Sequence, residues 1–358
     1  MKRFLLSISI LYALAARAQV KAPLHPATRP LLDSMTNAVE RNSYANVHSI
    51  LIAREGELVY ERYFNGWNRD SLHDTRSAFK SVTSLLAGIA LDKGFIRNVQ
   101  QRAYSFFPAY HYRDARKGAM TVKDLLEMKS GFDCEEFNDG KDCEDEMTDA
   151  ADWVKFSLDL PLKHAPGKVW AYTSCNPVII GGIISQAAGM PVRDFAERYL
   201  FGPLGIRRYR WAADATGHVN TAGSFYMLPA DMLKLGELVR QDGMWRGKRI
   251  VSSSWLREST AATITIPGFS FAEIGGATAA ITQPARYGYY WYREKIRTAA
   301  SDVDVLFASG NGGQYIMIIR ELGLVIVFTQ GNYNSRSAKR AFDILIKYIL
   351  PAFPHQPA

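Results

Sequence analysis

Ser77 and Lys80 lie three residues apart in the stretch RSAFKSVTSLL, residues 76–86, the one place in this chain where a lysine follows a serine at that spacing. On a helix, side chains three apart meet across one turn. A serine hydroxyl is a weak nucleophile and needs a base within hydrogen-bonding reach. Lysine can be that base when desolvation or positive neighbours bring its pKa down. The free N–H groups at a helix start can hold a developing oxyanion. Together these supply acyl transfer through a covalent serine intermediate. No charged residue occurs from Ser81 to Leu91, and Val82, Leu85, Leu86 and Ile89 recur at helical spacing. Ser81, Ser84 and Gly88 are small and uncharged. The pattern predicts a helix buried on every side, with a lysine at its mouth that needs a partner or a task.

Two further clusters could complete such a site. Tyr172-Thr173-Ser174-Cys175-Asn176 sets a phenol and polar side chains just before an apolar run, residues 178–188. Gly310-Asn311-Gly312-Gly313-Gln314 is a glycine-rich entry to a strand, where backbone can approach a ligand and offer N–H donors. Taken singly, the tyrosine reads as core packing and the glycines as a turn.

The elements that must position these residues follow from periodicity. Helices are expected at 30–42, from Ser77 onward, at 121–128, 152–160, 178–188 (closed by Gly189), 230–241 and 337–349. Hairpins are expected from 47–53 with 58–64, and from 314–319 with 324–330; residues 287–292 read as one strand. Strands at both ends with helices between them predict an α+β fold: one antiparallel sheet built from residues 20–75 and 285–358, flanked by the two terminal helices. A mostly helical lobe is expected over about 95–230, with the site in the cleft between.

Lys2 and Arg3 precede an apolar run, residues 4–16, which ends in Ala16-Arg17-Ala18, a small-x-small cleavage pattern. The sequence therefore predicts an export signal over residues 1–18 and a single domain over 19–358, periplasmic or secreted, with no apolar stretch long enough for a stable membrane span. Lys2, Arg3 and Arg17 are three of the 43 basic residues, so the remainder would carry 40 against 35 acids. The basic residues are scattered, which excludes a nucleic-acid footprint. Cys134, Cys143 and Cys175 permit one disulfide, either Cys134–Cys143 or Cys134–Cys175. Residues 134–148 are acidic and turn-rich and read as a surface loop near the cleft mouth. Dispersed histidines and the lack of C-x-x-C or H-E-x-x-H give no support for a metal site, and no cofactor is implied. No G-x-S-x-G elbow offers a rival nucleophile.

With these residues in place the chain resembles the serine β-lactamases of class C and their relatives among penicillin-binding proteins, D-aminopeptidases, carboxylesterases and nylon-oligomer hydrolases. Ser77-Ala-Phe-Lys80 matches the first motif, Tyr172-Thr-Ser174 the second in its Y-x-S form, and Asn311-Gly-Gly313 stands at the third. TVKDLLEMKSGFD, YLFGPLGI, AGSFYMLPADMLKLGELVRQDGMWRGKRI and ASGNGGQYIMII extend the likeness over nearly the whole chain. The resemblance implies Ser77, Lys80 and Tyr172 as catalytic, with Ser174, Asn176, Asn311, Gly312, Gly313 and Gln314 as substrate or oxyanion contacts. Lactamases and D,D-peptidases have a lysine at the third motif, many relatives a histidine; Asn311 brings no charge, which weakens recognition of a carboxylate-bearing substrate. The expected activity is that of an ester or amide hydrolase on a small molecule. The alternatives are a class C-type β-lactamase or D-aminopeptidase, or a catalytically silent binding or sensing protein. Trp170, Tyr287, Tyr289, Tyr290 and Trp291 are an aromatic supply for the cleft.

Overall fold

The computed structural model describes residues 26–137, 141–299 and 301–354; the expected export signal over residues 1–18 lies outside them. Its centre is an antiparallel sheet of nine strands: β1 (Val47–Arg54), β2 (Glu57–Tyr63), β3 (Ile264–Thr265), β4 (Ile281–Thr282), β5 (Arg286–Gly288), β6 (Trp291–Arg297), β7 (Asp302–Gly310), β8 (Gln314–Ile319) and β9 (Leu324–Gln330). The spatial order is β2-β1-β9-β8-β7-β6-β5-β3, with β4 on β6. N-terminal β1 pairs with C-terminal β9, with Ile50 opposite Phe328 and Ile52 opposite Ile326, so the sheet joins the two ends of the chain.

The central strands QYIMII and LVIVFTQ are apolar almost without interruption because both faces are covered. Alternation along β8 separates those faces. Tyr315 meets Phe342 of the C-terminal helical segment edge-on, at 5.5 Å between ring centroids. Its neighbour Ile316 faces the opposite way, toward Gly236, whose missing side chain lets a helix lie directly on Ile316 and Val325. The helices include α1 (Thr28–Glu40), α2 (Phe79–Asp92), α3 (Val122–Leu126), α4 (Glu144–Asp149), α5 (Trp153–Asp159), α6 (Cys175–Ala188) and α7 (Pro229–Arg240), with further short ones such as Val192–Ala196 and Ser253–Ser259. The segment from Arg336 to Ala352 is helical throughout, in 3₁₀, α and π turns. Helices α3 to α6 form the lobe expected over 95–230, which also includes two short strands, Tyr209–Trp211 and Phe225–Met227. No single helix among the described residues is long and apolar enough to cross a membrane.

Three expectations need correction. Residues 287–292 are not one strand: β5 and β6 form a hairpin turning at Tyr289 and Tyr290, whose φ angles are +43° and +71°. Two-residue hairpin turns of this kind need left-handed backbone at both positions, a place for Asn or Gly, so two tyrosines gave no turn signal. Their side chains anchor the turn instead. Tyr290 Oη donates to the Leu125 carbonyl at 3.0 Å, and Tyr289 Oη to Glu258 at 2.9 Å. Second, β7 is a strand that the expected elements lacked, although Asp302-Val-Asp-Val305 alternates and leads into the apolar Leu306-Phe-Ala308. Third, the sheet takes in β3 and β4, which lie outside the ranges expected to build it.

Candidate active site

Ser77 sits in a 3₁₀ turn, Arg76–Ala78, that runs into α2. Arg76 has φ +48°, left-handed backbone that is uncommon for any residue but glycine. Two glycines clamp the turn. A Cβ on Gly310, at the end of β7, would lie 2.3 Å from the Thr75 carbonyl oxygen, and one on Gly223 would lie 3.3 Å from Arg76 C. Asp74 receives the Arg76 N–H at 3.0 Å and pairs with its guanidinium at 3.2 Å. Ser77 is thus held on overdetermined backbone, with the end of β7 pressed against its turn.

Helix α2 is buried from Phe79 to Ala90, as the absence of charge required. Lys80 is 1 % exposed, and its Nζ donates to Ser77 Oγ at 2.8 Å and to Ser174 Oγ at 3.0 Å. It also lies 4.9 Å from the Tyr172 ring centroid. Burial lowers the Lys80 pKa, while the Glu136 and Glu144 carboxylates act to raise it. Tyr172 lies beside Ser77 and Tyr292, and burial, then the nearby Glu136 carboxylate, hold its pKa far above the ordinary phenol value. Tyr172 is therefore a neutral donor near neutral pH, and the group able to take the serine proton is Lys80.

The cleft at this point has a volume of about 480 Å³. Ser77, Tyr172, Tyr292, Ser309, Gly310, Asn311 and Gly312 line its floor and β7 side, and Phe137, Phe269, Phe271 and Tyr315 add an aromatic wall. Glu136, Asp142, Glu144, Arg336 and Lys339 are its charged lining residues. A larger hollow of about 770 Å³ lies elsewhere, between Arg193 and Trp211, and holds no serine or lysine. Asp152, Asp214 and His218 also converge, but Asp214 accepts the Trp153, Thr216 and His218 backbone N–H groups and so closes a loop.

Of the residues singled out in the sequence, Ser77, Lys80, Tyr172 and Ser174 come together, and Asn311 and Gly312 reach the cleft. Asn311 is tied to Asn334 by both halves of its amide, Nδ2 donating at 2.6 Å and Oδ1 accepting at 2.9 Å. Asn176 does not reach the cleft: it is buried within α6 and its Nδ2 contacts Met128 Sδ at 3.4 Å. Gln314 does not either, since its side chain bonds the Gln330 backbone inside the sheet. Gly313 turns the chain at φ +95°, where a Cβ would meet the Gln330 side chain at 2.6 Å. Of the expected aromatics, Tyr287 packs against Tyr172 at 6.1 Å, and Trp170, Tyr289, Tyr290 and Trp291 are not among the residues lining the cleft.

Glu136 was missed. Cys134 and Cys143 are bonded, with Cα atoms 5.8 Å apart, and Cys175 is a buried free thiol whose pKa burial pushes up to about 12. The segment between the bonded cysteines is no mere surface loop. Glu136 accepts from the Ser174 backbone N–H, and from Ser174 Oγ at 2.8 Å. Tyr292 was missed as well, its place concealed by the unrecognised hairpin.

The Beta-lactamase family model matches residues 39–347. The chain belongs to the Beta-lactamase family. This makes it a serine hydrolase of the β-lactamase fold. It is 23 % identical over 285 residues to the 6-aminohexanoate-dimer hydrolase of Paenarthrobacter ureafaciens, covering 73 % of this chain and 70 % of that one. Among solved structures it resembles the octameric penicillin-binding protein homologue from Pyrococcus abyssi, with TM-score 0.66 and 18 % identity over 89 % of this chain and 77 % of that one. It likewise resembles a family VIII carboxylesterase, with TM-score 0.66 and 15 % identity over 92 % and 99 % of the two chains. At these identities the structural likeness speaks for the fold.

Proposed function

We propose that this protein is an exported hydrolase that cleaves small esters or amides through an acyl-enzyme on Ser77. The observation that supports this most is the convergence of Lys80 Nζ on Ser77 Oγ at 2.8 Å in a cleft that Tyr172 also lines. Lys80 takes the Ser77 proton as Oγ attacks the carbonyl carbon, and the departing alcohol or amine receives a proton by way of Lys80 and Tyr172. Water then hydrolyses the acyl-enzyme. The oxyanion is held by the Ser77 N–H and a backbone N–H of the 311–314 segment, of which Asn311 and Gly312 reach the cleft. Export rests on the N-terminal pattern of residues 2–18.

The substrate reading follows from the cleft walls. Ser309, Gly310 and Asn311 carry no charge, and Glu136, Asp142 and Glu144 outnumber Arg336 and Lys339 among the charged residues lining the cleft. Both features disfavour a substrate carboxylate close to the scissile bond, and the aromatic wall favours an apolar acyl or leaving group. A panel of short p-nitrophenyl esters, a cephalosporin, D-amino-acid amides and a linear amide oligomer tests this with the purified protein. The expected order places neutral esters well above the cephalosporin, and efficient cephalosporin turnover would refute the substrate assignment.

A further inference from the structure

Three polar atoms stand in line behind the nucleophile, and they do not belong to the Ser77–Lys80–Tyr172 set alone. Lys80 Nζ donates to Ser174 Oγ at 3.0 Å, and Ser174 Oγ donates onward to Glu136 Oε2 at 2.8 Å. A hydroxyl has one proton to give. With Nζ donating into Ser174 Oγ, that proton points at a carboxylate, and Glu136 is the nearer one, since Glu144 Oε1 lies at 3.3 Å. The Ser174 backbone N–H holds the other Glu136 oxygen, which fixes the carboxylate against the hydroxyl. The disulfide between Cys134 and Cys143 closes the loop that brings it there.

We propose that Glu136 is a positioning residue of the hydrolysis, sharing one proton with Lys80 across the Ser174 hydroxyl and so deciding when Lys80 is free to take the Ser77 proton. The inference rests on Ser77 as nucleophile. An Nζ–H bond breaks as a new O–H forms on Ser174, and the former Ser174 O–H breaks as Glu136 Oε2 gains its proton. No proton is gained or lost, and the Nζ lone pair is left 2.8 Å from Ser77 Oγ. Attack then moves the Ser77 proton to Nζ, the leaving group takes one from Lys80, and Glu136 returns the one it held. The charge balance suits the exchange: burial lowers the Lys80 pKa and raises that of Glu136 to about 7, so the two are brought toward one another.

The groups facing Glu136 are Lys80 on α2, Glu144 at the start of α4, Asp142 before it, Tyr172 and Cys175 beside Ser174, and Tyr287 and Tyr292 of the β5–β6 hairpin. Arg336 and Lys339 also line the cleft. The three tyrosines and Cys175 have raised pKa values and stay neutral near pH 7, so they do not supply a titration there.

The test is the rate of Ser77 labelling by a fluorophosphonate as a function of pH, with the full chain, its Glu136→Gln, Glu136→Asp and Glu144→Gln variants, and Ser77→Ala as the blank. In the unsubstituted protein the rate should fall as pH drops through about 7, because a protonated Glu136 cannot accept from Lys80. Glu136→Gln removes the acceptor, so Lys80 must lose its proton to solvent beside a neutral partner, and the midpoint should move up. Glu136→Asp keeps a carboxylate and should keep the midpoint, and it serves alone if the Gln variant does not fold. An unmoved or lowered midpoint in Glu136→Gln, a displaced midpoint in Glu136→Asp, or a larger displacement in Glu144→Gln than in Glu136→Gln would overturn the proposal. Absence of any labelling at Ser77 in the unsubstituted protein would instead remove the nucleophile on which it rests.

Discussion

Arg336 and Lys339 are the basic residues among those that line the cleft, and Asn311 is neutral and held by Asn334. Burial, then the neighbouring Arg336, lowers the Lys339 pKa, so the more dependable cation of the two is the guanidinium. A charge-assisted contact to a carboxylate contributes about 1–3 kcal/mol. Arg336→Ala should therefore lower kcat/KM for carboxylate-bearing esters about tenfold relative to neutral esters of equal length, in steady-state assays of both. Equal losses on the two would remove Arg336 from recognition. At this scale the sequence was informative where chemistry and burial coincide. Ser77 and Lys80 were legible because a charged residue opened an otherwise uncharged helix. Asn176 was misplaced although helical geometry argues against it: two residues beyond Ser174 on a helix is a turn of about 200°, so both side chains cannot face one cleft. Glu136 was not legible because an acid among Glu135, Asp139, Lys141 and Asp142 reads as solvated charge, and only the fold brings it to Ser174.

The elements that matter most are the Arg76–Ala78 turn and the end of β7, which meet without a side chain between them. Gly310→Ala would place a Cβ 2.3 Å from the Thr75 carbonyl oxygen and 3.1 Å from Ala78 N, so turn and strand must part. Overpacking of this kind costs about 1–3 kcal/mol. A displacement near 1 Å at reacting atoms costs about 10²-fold in rate. Thermal unfolding should thus show a modest loss in Gly310→Ala while kcat on a p-nitrophenyl ester falls about 10²-fold; an unchanged kcat would mean that the contact does not position Ser77. The sheet was largely foreseen, because 47–54, 314–319 and 324–330 are unbroken apolar or alternating runs. The Tyr289–Tyr290 turn was not, since its left-handed backbone is held by Leu125 and Glu258, distant in the chain.

Across the whole molecule, the main sheet and the segment leading to Ser77 are joined by a ring stack. His48 on β1 lies 4.3 Å from Trp67, and Trp67 lies 4.3 Å from His73, both measured between ring centroids. Burial lowers the His48 pKa to about 4 and the His73 pKa to about 3, and His73 Nε2 is buried without a partner. In the unfolded chain both titrate near 6.5, so below that pH the unfolded state binds more protons than the folded one. Their contribution to stability is present above pH 6.5 and is lost as pH falls toward 4 and 3. The melting temperature should accordingly drop over that window, and His73→Phe, which keeps a ring and removes the titration, should drop less. An identical fall in the variant would locate acid sensitivity elsewhere.

Hydrolysis as proposed requires Ser77 to form a covalent acyl-enzyme. Intact-protein mass spectrometry after brief exposure to a fluorophosphonate or a slowly turned-over p-nitrophenyl ester, followed by peptide mapping, measures this directly. The expected result is a single adduct on Ser77 in the peptide containing Lys80, absent from Ser77→Ala and formed about 10³-fold more slowly or not at all in Lys80→Ala. An adduct on another residue, or equal labelling of Ser77→Ala, would contradict it.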